Sequence, residues 1–296
     1  MNRHAYLILA HTNPGQLRKL IGALDDPRND VFVHIDAKAP FGPEDLTGAC
    51  SQSRLVFTDR RIPVSWGGVS IMRAELELLE KACAEGSYSY YHLLSGMDLP
   101  IKSQDAIHSF FEQNQGKEFL SMWKFQSHTY RRFRYYTIFP EGAGKFGTNL
   151  LNNIVKMILV GLHLQINKGI DFRFASQWFS ITDGFARYTL SKRSWLEKVF
   201  RHTNTIDEVF MPTLLWNSPF KDRLYDPVEH PDNKDTAAMG NMRFIDWTRG
   251  PSIRHPWTFT KDDLELLRSV PQLWARKFDE RVDTEIIDAV IRDLLH

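Results

Sequence analysis

Along the first hundred residues, short continuous apolar runs alternate with segments of helical spacing. Ala5 to Ala10 is such a run, as expected of a parallel strand covered on both faces, and it stops at His11-Thr12-Asn13-Pro14. The spacing then changes: Leu17, Leu20, Ile21 and Leu24 share one face of a helix predicted over Gln16 to Leu24. Strands are predicted again at Asp30 to Ile35 and Arg54 to Thr58. A helix over Val69 to Ala84 carries Val69, Met72, Leu76, Leu79 and Cys83 on one face. Tyr90 to Leu94 reads as a further buried strand, followed by a helix from Gln104 to Gln113 and a strand around Glu118 to Trp123. This alternation predicts an α/β fold with a mostly parallel central sheet flanked by helices.

The strand Tyr90 to Leu94 organises the rest. It breaks at Ser95-Gly96, Asp98 follows at its end, and Pro100 is expected to forbid continuation. In open α/β sheets ligands bind outside the carboxyl ends of the strands, so Ser95, Gly96 and Asp98 are candidate site residues. A strand-to-turn junction with a solvated aspartate gives the same local pattern.

The second half is less regular. Tyr130 to Tyr136 interleaves Arg131, Arg132 and Arg134 with aromatics, which suits a sugar or an anionic partner, or the charged outer face of a half-buried strand. Leu150 to Ile166 is the most apolar stretch, too short and too polar at Asn152, Asn153, Lys156 and His163 to span a bilayer. It fits a core helix or, flanked by Lys145 and Lys168, a helix lying in a membrane interface. A strand over Ser176 to Ile181 and a helix from Asp183 to Leu190 follow. Thr205 is placed as an N-cap with Glu208 completing a capping box ahead of Val209 to Trp216. Met242 to Trp247 is the last predicted strand. Thr260 is the expected cap of a helix over Lys261 to Arg268, with Asp262 and Asp263 at its positive end, and a terminal helix spans Thr284 to Leu295.

Composition narrows the function classes. The 296 residues carry a net charge of +1, which excludes a globally basic nucleic-acid binder, and no groove-reading motif accompanies the arginines. Cys50 and Cys83 form no CxxC. With Met1 leading directly into a strand-like run, a cytoplasmic, reducing location is expected. No phosphate-cradling glycine motif, HExxH, GxSxG or zinc-spaced set occurs, and no Asp-x-Asp follows an early strand to hold a cation on a diphosphate. His34 and Asp36 make at most a weak metal pair. No linker or repeat divides the chain, so one domain over 1–296 is expected, with a nucleotide-sugar half (1–125) and an acceptor-binding and catalytic half (126–296).

In order and spacing, several segments resemble the core-2/I-branching N-acetylglucosaminyltransferases, a family that also includes the peptide O-xylosyltransferases. They are His34-Ile35-Asp36-Ala37-Lys38, Val64-Ser65-Trp66-Gly67-Gly68-Val69-Ser70, Tyr91 to Lys102, Ser176-Gln177-Trp178-Phe179, Asp207-Glu208, Ile245-Asp246-Trp247 and Ala275-Arg276-Lys277-Phe278-Asp279. The absence of a lumenal anchor makes the chain look like a bacterial member. The resemblance implies a GT-A glycosyltransferase fold and an inverting, metal-independent transfer of a sugar, GlcNAc first, from a UDP-sugar donor to a hydroxyl of a glycan or lipid-linked saccharide, in bacterial surface polysaccharide synthesis. It implies no cofactor beyond the donor. By similarity Glu208 is the general base, while Lys277 and Arg254 stabilise the leaving diphosphate. Leu9, Ala10, His11, Asp36 and Lys38 would line the nucleotide, and Asp98, Arg131, Arg134 and Trp178 the sugar or acceptor. The alternatives are UDP-xylose, UDP-glucose or UDP-glucuronate as donor, a binding protein without turnover, and a membrane-surface protein built around 150–166. Peripheral contact with the inner face of the cell membrane through that stretch remains open beside the cytoplasmic reading.

Overall fold

A computed structural model describes residues 3–124, 130–142, 146–231, 239–250 and 255–295. In chain order, the amino-terminal elements are β1 (His4–Ala10), α1 (Pro14–Ala23), β2 (Asn29–Ile35), β3 (Arg54–Phe57), α2 (Val69–Glu85), β4 (Tyr90–Ser95), β5 (Asp98–Pro100) and α3 (Gln104–Gln113). Then come β6 (Met122–Trp123), α4 (Arg131–Arg134), α5 (Phe146–Gly161), β7 (Phe174–Ala175), β8 (Ser180–Thr182), α6 (Asp183–Ser191), α7 (Arg193–Phe200) and α8 (Phe210–Trp216). The chain closes with β9 (Arg243–Ile245), α9 (Leu264–Ser269), β10 (Trp274–Arg276) and α10 (Thr284–Leu294).

The main sheet has the order β3-β2-β1-β4-β8; the first four strands are parallel and β8 runs antiparallel to β4. The sheet is therefore mixed rather than wholly parallel. Its strands bury both faces, which is why β1, β2 and β4 lack polar alternation. Ala5, Leu7, Phe32, Tyr91 and Leu93 join a core with residues of α2, α6 and α8. The alternate positions Tyr6, Ile8, Val31, Val33, Tyr90 and Leu94 join a second core with α1, α3 and α10. Each fully buried aliphatic side chain in these layers contributes roughly 1.5–3 kcal/mol against exposure. Strand order reverses between β1 and β4, so the carboxyl ends of these neighbours, at Ala10 and Ser95, flank the crevice where such sheets take ligands.

Several expectations change. Pro100 does not end the strand path: Asp98–Pro100 is itself β5, paired antiparallel with β10 in a second sheet of order β5-β10-β9. A proline is tolerated there because β5 is an edge strand. Arg131–Arg134 is a short helix, not a strand. Of the strand expected over 176–181 only Ser180 and Ile181 are in a strand, β8, which pairs with β4, while β7 lies just ahead of the expected span and pairs with β6. The Thr205 capping box does not form: α8 starts at Phe210 with Val209 as its N-cap, and Thr205 has a φ of 56°. At Thr260 the expected cap is made from the other side: its amide donates to Asp263 Oδ2 at 2.9 Å, on a single 3-10 turn ahead of α9. Cys50 and Cys83 are free thiols, and no helix among the described residues is long and apolar enough to cross a membrane.

Candidate active site

A cleft of about 520 Å³ opens over the carboxyl ends of β1, β2 and β4. Leu9, Ala10 and His11 line it from β1, His34, Asp36 and Lys38 from β2, and Ser95 from β4. Trp66, Gln177, Trp178, Asp207 and Arg276 close its sides. Leu9, Ala10, His11, Asp36, Lys38 and Trp178 thus come together in one cleft from segments far apart in sequence.

Its floor is built by backbone satisfaction. The Asp36 carboxylate accepts from the amides of Lys38 (2.8 Å) and Val64 (3.2 Å). The Nε2 of His34 accepts from the Ile62 amide at 2.9 Å, so this imidazole is neutral with its proton on Nδ1. Both side chains fix the 62–64 loop against β2, and Lys38 Nζ reaches the Val64 carbonyl from the other side.

Cations gather at one end. Burial is the main cause that lowers the His11 imidazole below its ordinary value. Asp36 opposes it, and the positive charges of Arg276, Lys277 and Lys38 push in the same direction as burial. The Lys277 ammonium is lowered as well, by partial burial first and then by Arg276 and Arg281, with Asp279 opposing. Arg276 was not among the predicted site residues although it adjoins Lys277. Its signal was that adjacency, and β10, which ends at Arg276, is what carries the side chain to the cleft lining. Arg254 lies outside the described residues.

Asp98 has a different place from the one its position suggested. It is 1% exposed and accepts from the Ser95 amide (2.8 Å), the Ser95 hydroxyl (3.0 Å) and Arg276 Nη1 (2.7 Å). It therefore shapes the loop and holds Arg276 rather than lining the cleft. Arg276 also donates to Ser95 Oγ, and its guanidinium lies 4.6 Å from the centre of the Trp178 ring, so it covers one face of that indole.

The cleft also carries a carboxylate, Asp207, with Glu208 next to it in sequence. Thr205 donates its amide to Gly67 O (2.7 Å), and Glu208 O accepts from Ala175 in β7 (2.9 Å), so the loop carrying both carboxylates is tied at each end. Burial, then the Asp207 charge, push the Glu208 carboxyl up to about 8, with Arg132 acting against them. Asp207 is raised too, by burial, and its Oδ1 has no hydrogen-bond partner. Asp207 lines the cleft directly; Glu208 adjoins it and is not among the described lining residues. Gln177 donates through Nε2 to Glu75 Oε1 at 2.9 Å, and burial raises the Glu75 carboxyl well above the ordinary range. Sequence reading missed Glu75, which sits on a helix that is otherwise apolar on that face.

Of the arginines in α4, Arg132 is the one whose charge reaches Glu208. Arg131 is exposed. Arg134 is spent on the fold: it donates to the carbonyls of Asn167 and Ile170 (2.9 Å for the latter) and lies over Tyr130 and Phe172.

A family model described as "Core-2/I-Branching enzyme" matches residues 4–268. Similar curated proteins include Xylosyltransferase 2 of Canis lupus familiaris, 24% identical over 97% of this chain and 33% of the relative. Xylosyltransferase sqv-6 of Caenorhabditis elegans is 22% identical over 94% of this chain and 34% of its own length. The chain spans about a third of the length of these relatives. Among solved structures, the apo form of mouse xyloside xylosyltransferase 1 aligns over 93% of this chain and 97% of its own, at a TM-score of 0.41 and 8% identity.

Proposed function

The chain belongs to the Core-2/I-Branching enzyme family, and from that premise we propose that it is an inverting glycosyltransferase moving a sugar from a UDP-sugar to a hydroxyl of a glycan acceptor. The observation that carries this reading is the polarity of the cleft. Lys38 and Arg276 line it with Lys277 close by, and Asp207 lines the same cleft with Glu208, whose proton affinity is raised, next to it in sequence.

In this reading the nucleotide lies across the ends of β1 and β2 and its diphosphate meets the cations. A sugar hydroxyl is a weak nucleophile and needs a base opposite the leaving group. Glu208 takes the hydroxyl proton as the acceptor oxygen bonds to the anomeric carbon. The bond from that carbon to the diphosphate oxygen breaks, and the electron pair leaves with UDP. Arg276 and Lys277 stabilise the charge that develops there without a metal ion, the role first assigned to Lys277 and Arg254. A base titrating near 8 suits this task, since proton transfer is most effective when the pKa lies near the working pH.

Two donors are carried forward. UDP-GlcNAc is the first expectation from the family's branching enzymes. UDP-xylose is favoured by the relatives named above, which are xylosyltransferases. Calorimetric titration with UDP, UDP-GlcNAc and UDP-xylose in EDTA tests the proposal. Micromolar binding of UDP with a preference for one sugar supports it and selects the donor. No binding to any of them, with manganese failing to restore it, refutes it.

A further inference from the structure

Helix α5 is inside out. On an ordinary surface helix the apolar stripe faces the core and the polar residues face water. Here Leu150, Leu151, Ile154, Met157, Ile158 and Leu162 point away from the protein, with Met157 67% and Leu162 62% exposed. The polar side chain turned inward is Asn152, whose Oδ1 accepts from the amides of Ile138 (3.1 Å) and Phe139 (3.0 Å) while its Nδ2 donates to Phe139 O (3.2 Å). Lys156, one turn later, is half-buried. The helix is anchored, not loose: Ile166 bonds back to Arg134 O at 2.9 Å and Arg134 clasps the 167–170 turn. Beside it runs an apolar groove of about 410 Å³ between Ile138, Val155, Leu159 and Leu164, with Lys168 at its edge.

Charge says what covers this face. In sequence, residues 130–170 hold six basic side chains and one acidic one, Glu141, in a chain whose net charge is only +1; of the basic ones Arg131 and Lys168 are exposed, Lys168 at the groove. Glu141 is itself engaged, accepting from the amide (2.8 Å) and hydroxyl (2.7 Å) of Ser70. Two copies meeting through this face would bring like charges together, whereas an anionic lipid surface complements them. The 16 residues of α5, roughly 24 Å long, are too short for a bilayer to be crossed but suit a helix lying in its plane.

We propose that the outward face of α5 docks this protein on an anionic lipid bilayer, the helix lying among the headgroups and its groove turned towards the acyl chains. The Ser70–Glu141 bonds join this platform to the start of α2, directly after Trp66 at the cleft rim. The inference does not depend on the sugar-transfer reading.

The test is co-sedimentation with phosphatidylcholine vesicles made with and without phosphatidylglycerol. The protein pellets with the anionic vesicles, and added salt weakens the binding. Replacing Met157→Ser, Ile158→Ser and Leu162→Ser together lowers partitioning by about tenfold or more. The thermal midpoint stays unchanged because these side chains are already exposed. Lys168→Glu, a milder second variant, reduces the preference for anionic vesicles. A protein that stays in the supernatant with both vesicle types overturns the proposal, as does a triple variant that binds as the parent does. Light scattering that shows a dimer dissolved by the triple variant, without vesicle binding by the parent, assigns the face to a second copy instead.

Discussion

Arg276 donates to Asp98 at 2.7 Å across register partners of β10 and β5, so a cation that lines the cleft is held by a carboxylate buried behind it. The pair joins two strands nearly 180 residues apart in sequence. It explains why the aspartate after the Ser-Gly break is present without facing a ligand.

Asp98→Asn leaves the guanidinium without its anionic partner and weakens the Ser95 loop. Removing one member of a buried ion pair costs on the order of 3 kcal/mol, so the thermal midpoint of unfolding should fall clearly. A variant as stable as the parent would show that Ser95 alone holds Arg276.

Glu208→Gln should lower turnover by roughly 100-fold or more while UDP still binds. Because the Glu208 carboxyl is raised to about 8, the base is protonated below that pH. The parent's kcat/KM should therefore rise with pH and level off near 8, a limb absent from the variant's residual rate. The sign for stability is opposite. Between the ordinary 4.5 and about 8 the folded state binds more protons than the unfolded chain, so this group's contribution is lost as pH rises through that window. The variant should gain stability over the parent at alkaline pH in denaturant titrations; an identical pH dependence would remove Glu208 from this role.

Lys277→Ala should weaken UDP binding about tenfold, the scale of a hydrogen bond to a charged group. Calorimetry reads it directly, and unchanged affinity would take Lys277 out of the diphosphate site.

Chelation provides a separate check on how the leaving group is stabilised. Transfer should continue in EDTA; full loss restored by manganese would transfer that role from Arg276 and Lys277 to a metal ion.

At the amino end of the sheet, far from the cleft, His4, His92 and His108 pack together, with His92 Nε2 3.1 Å from His4 Nδ1. Burial, then neighbouring positive groups, lower all three, His108 to about 4. Groups kept neutral in the fold charge on unfolding in acid. Their contribution is complete above the ordinary 6.5 and is lost as pH falls below it. His108→Gln, which can still bond Asn29, should flatten the decline in stability between about 6.5 and 4. Equal slopes for parent and variant would exclude His108 as a source of acid lability.

Sequence periodicity alone determined the alternating strands and helices of the amino-terminal half and pointed to the end of β4 as the ligand side. Both are local properties: a run of apolar residues or a heptad-like spacing is present in the chain before it folds. The nucleotide-side residues Leu9, Ala10, His11, Asp36 and Lys38 came from the family resemblance, and they share one cleft because neighbouring strand ends carry them. Tertiary structure decided everything that depends on partners distant in sequence. It buried Asp98 under Arg276, chose Arg276 to face the cleft, spent Arg134 on the 167–170 turn and set Glu75 behind Gln177. It also raised the proton affinity of Glu208, which no neighbour in sequence other than Asp207 could do. The stretch 150–166 makes the distinction plainest. Its pattern allowed a core helix or an interfacial one, because apolar spacing fixes only which residues share a face. Which way that face turns was settled by Asn152, whose bonds to the 138–139 backbone hold the polar side inward and leave the apolar side outside.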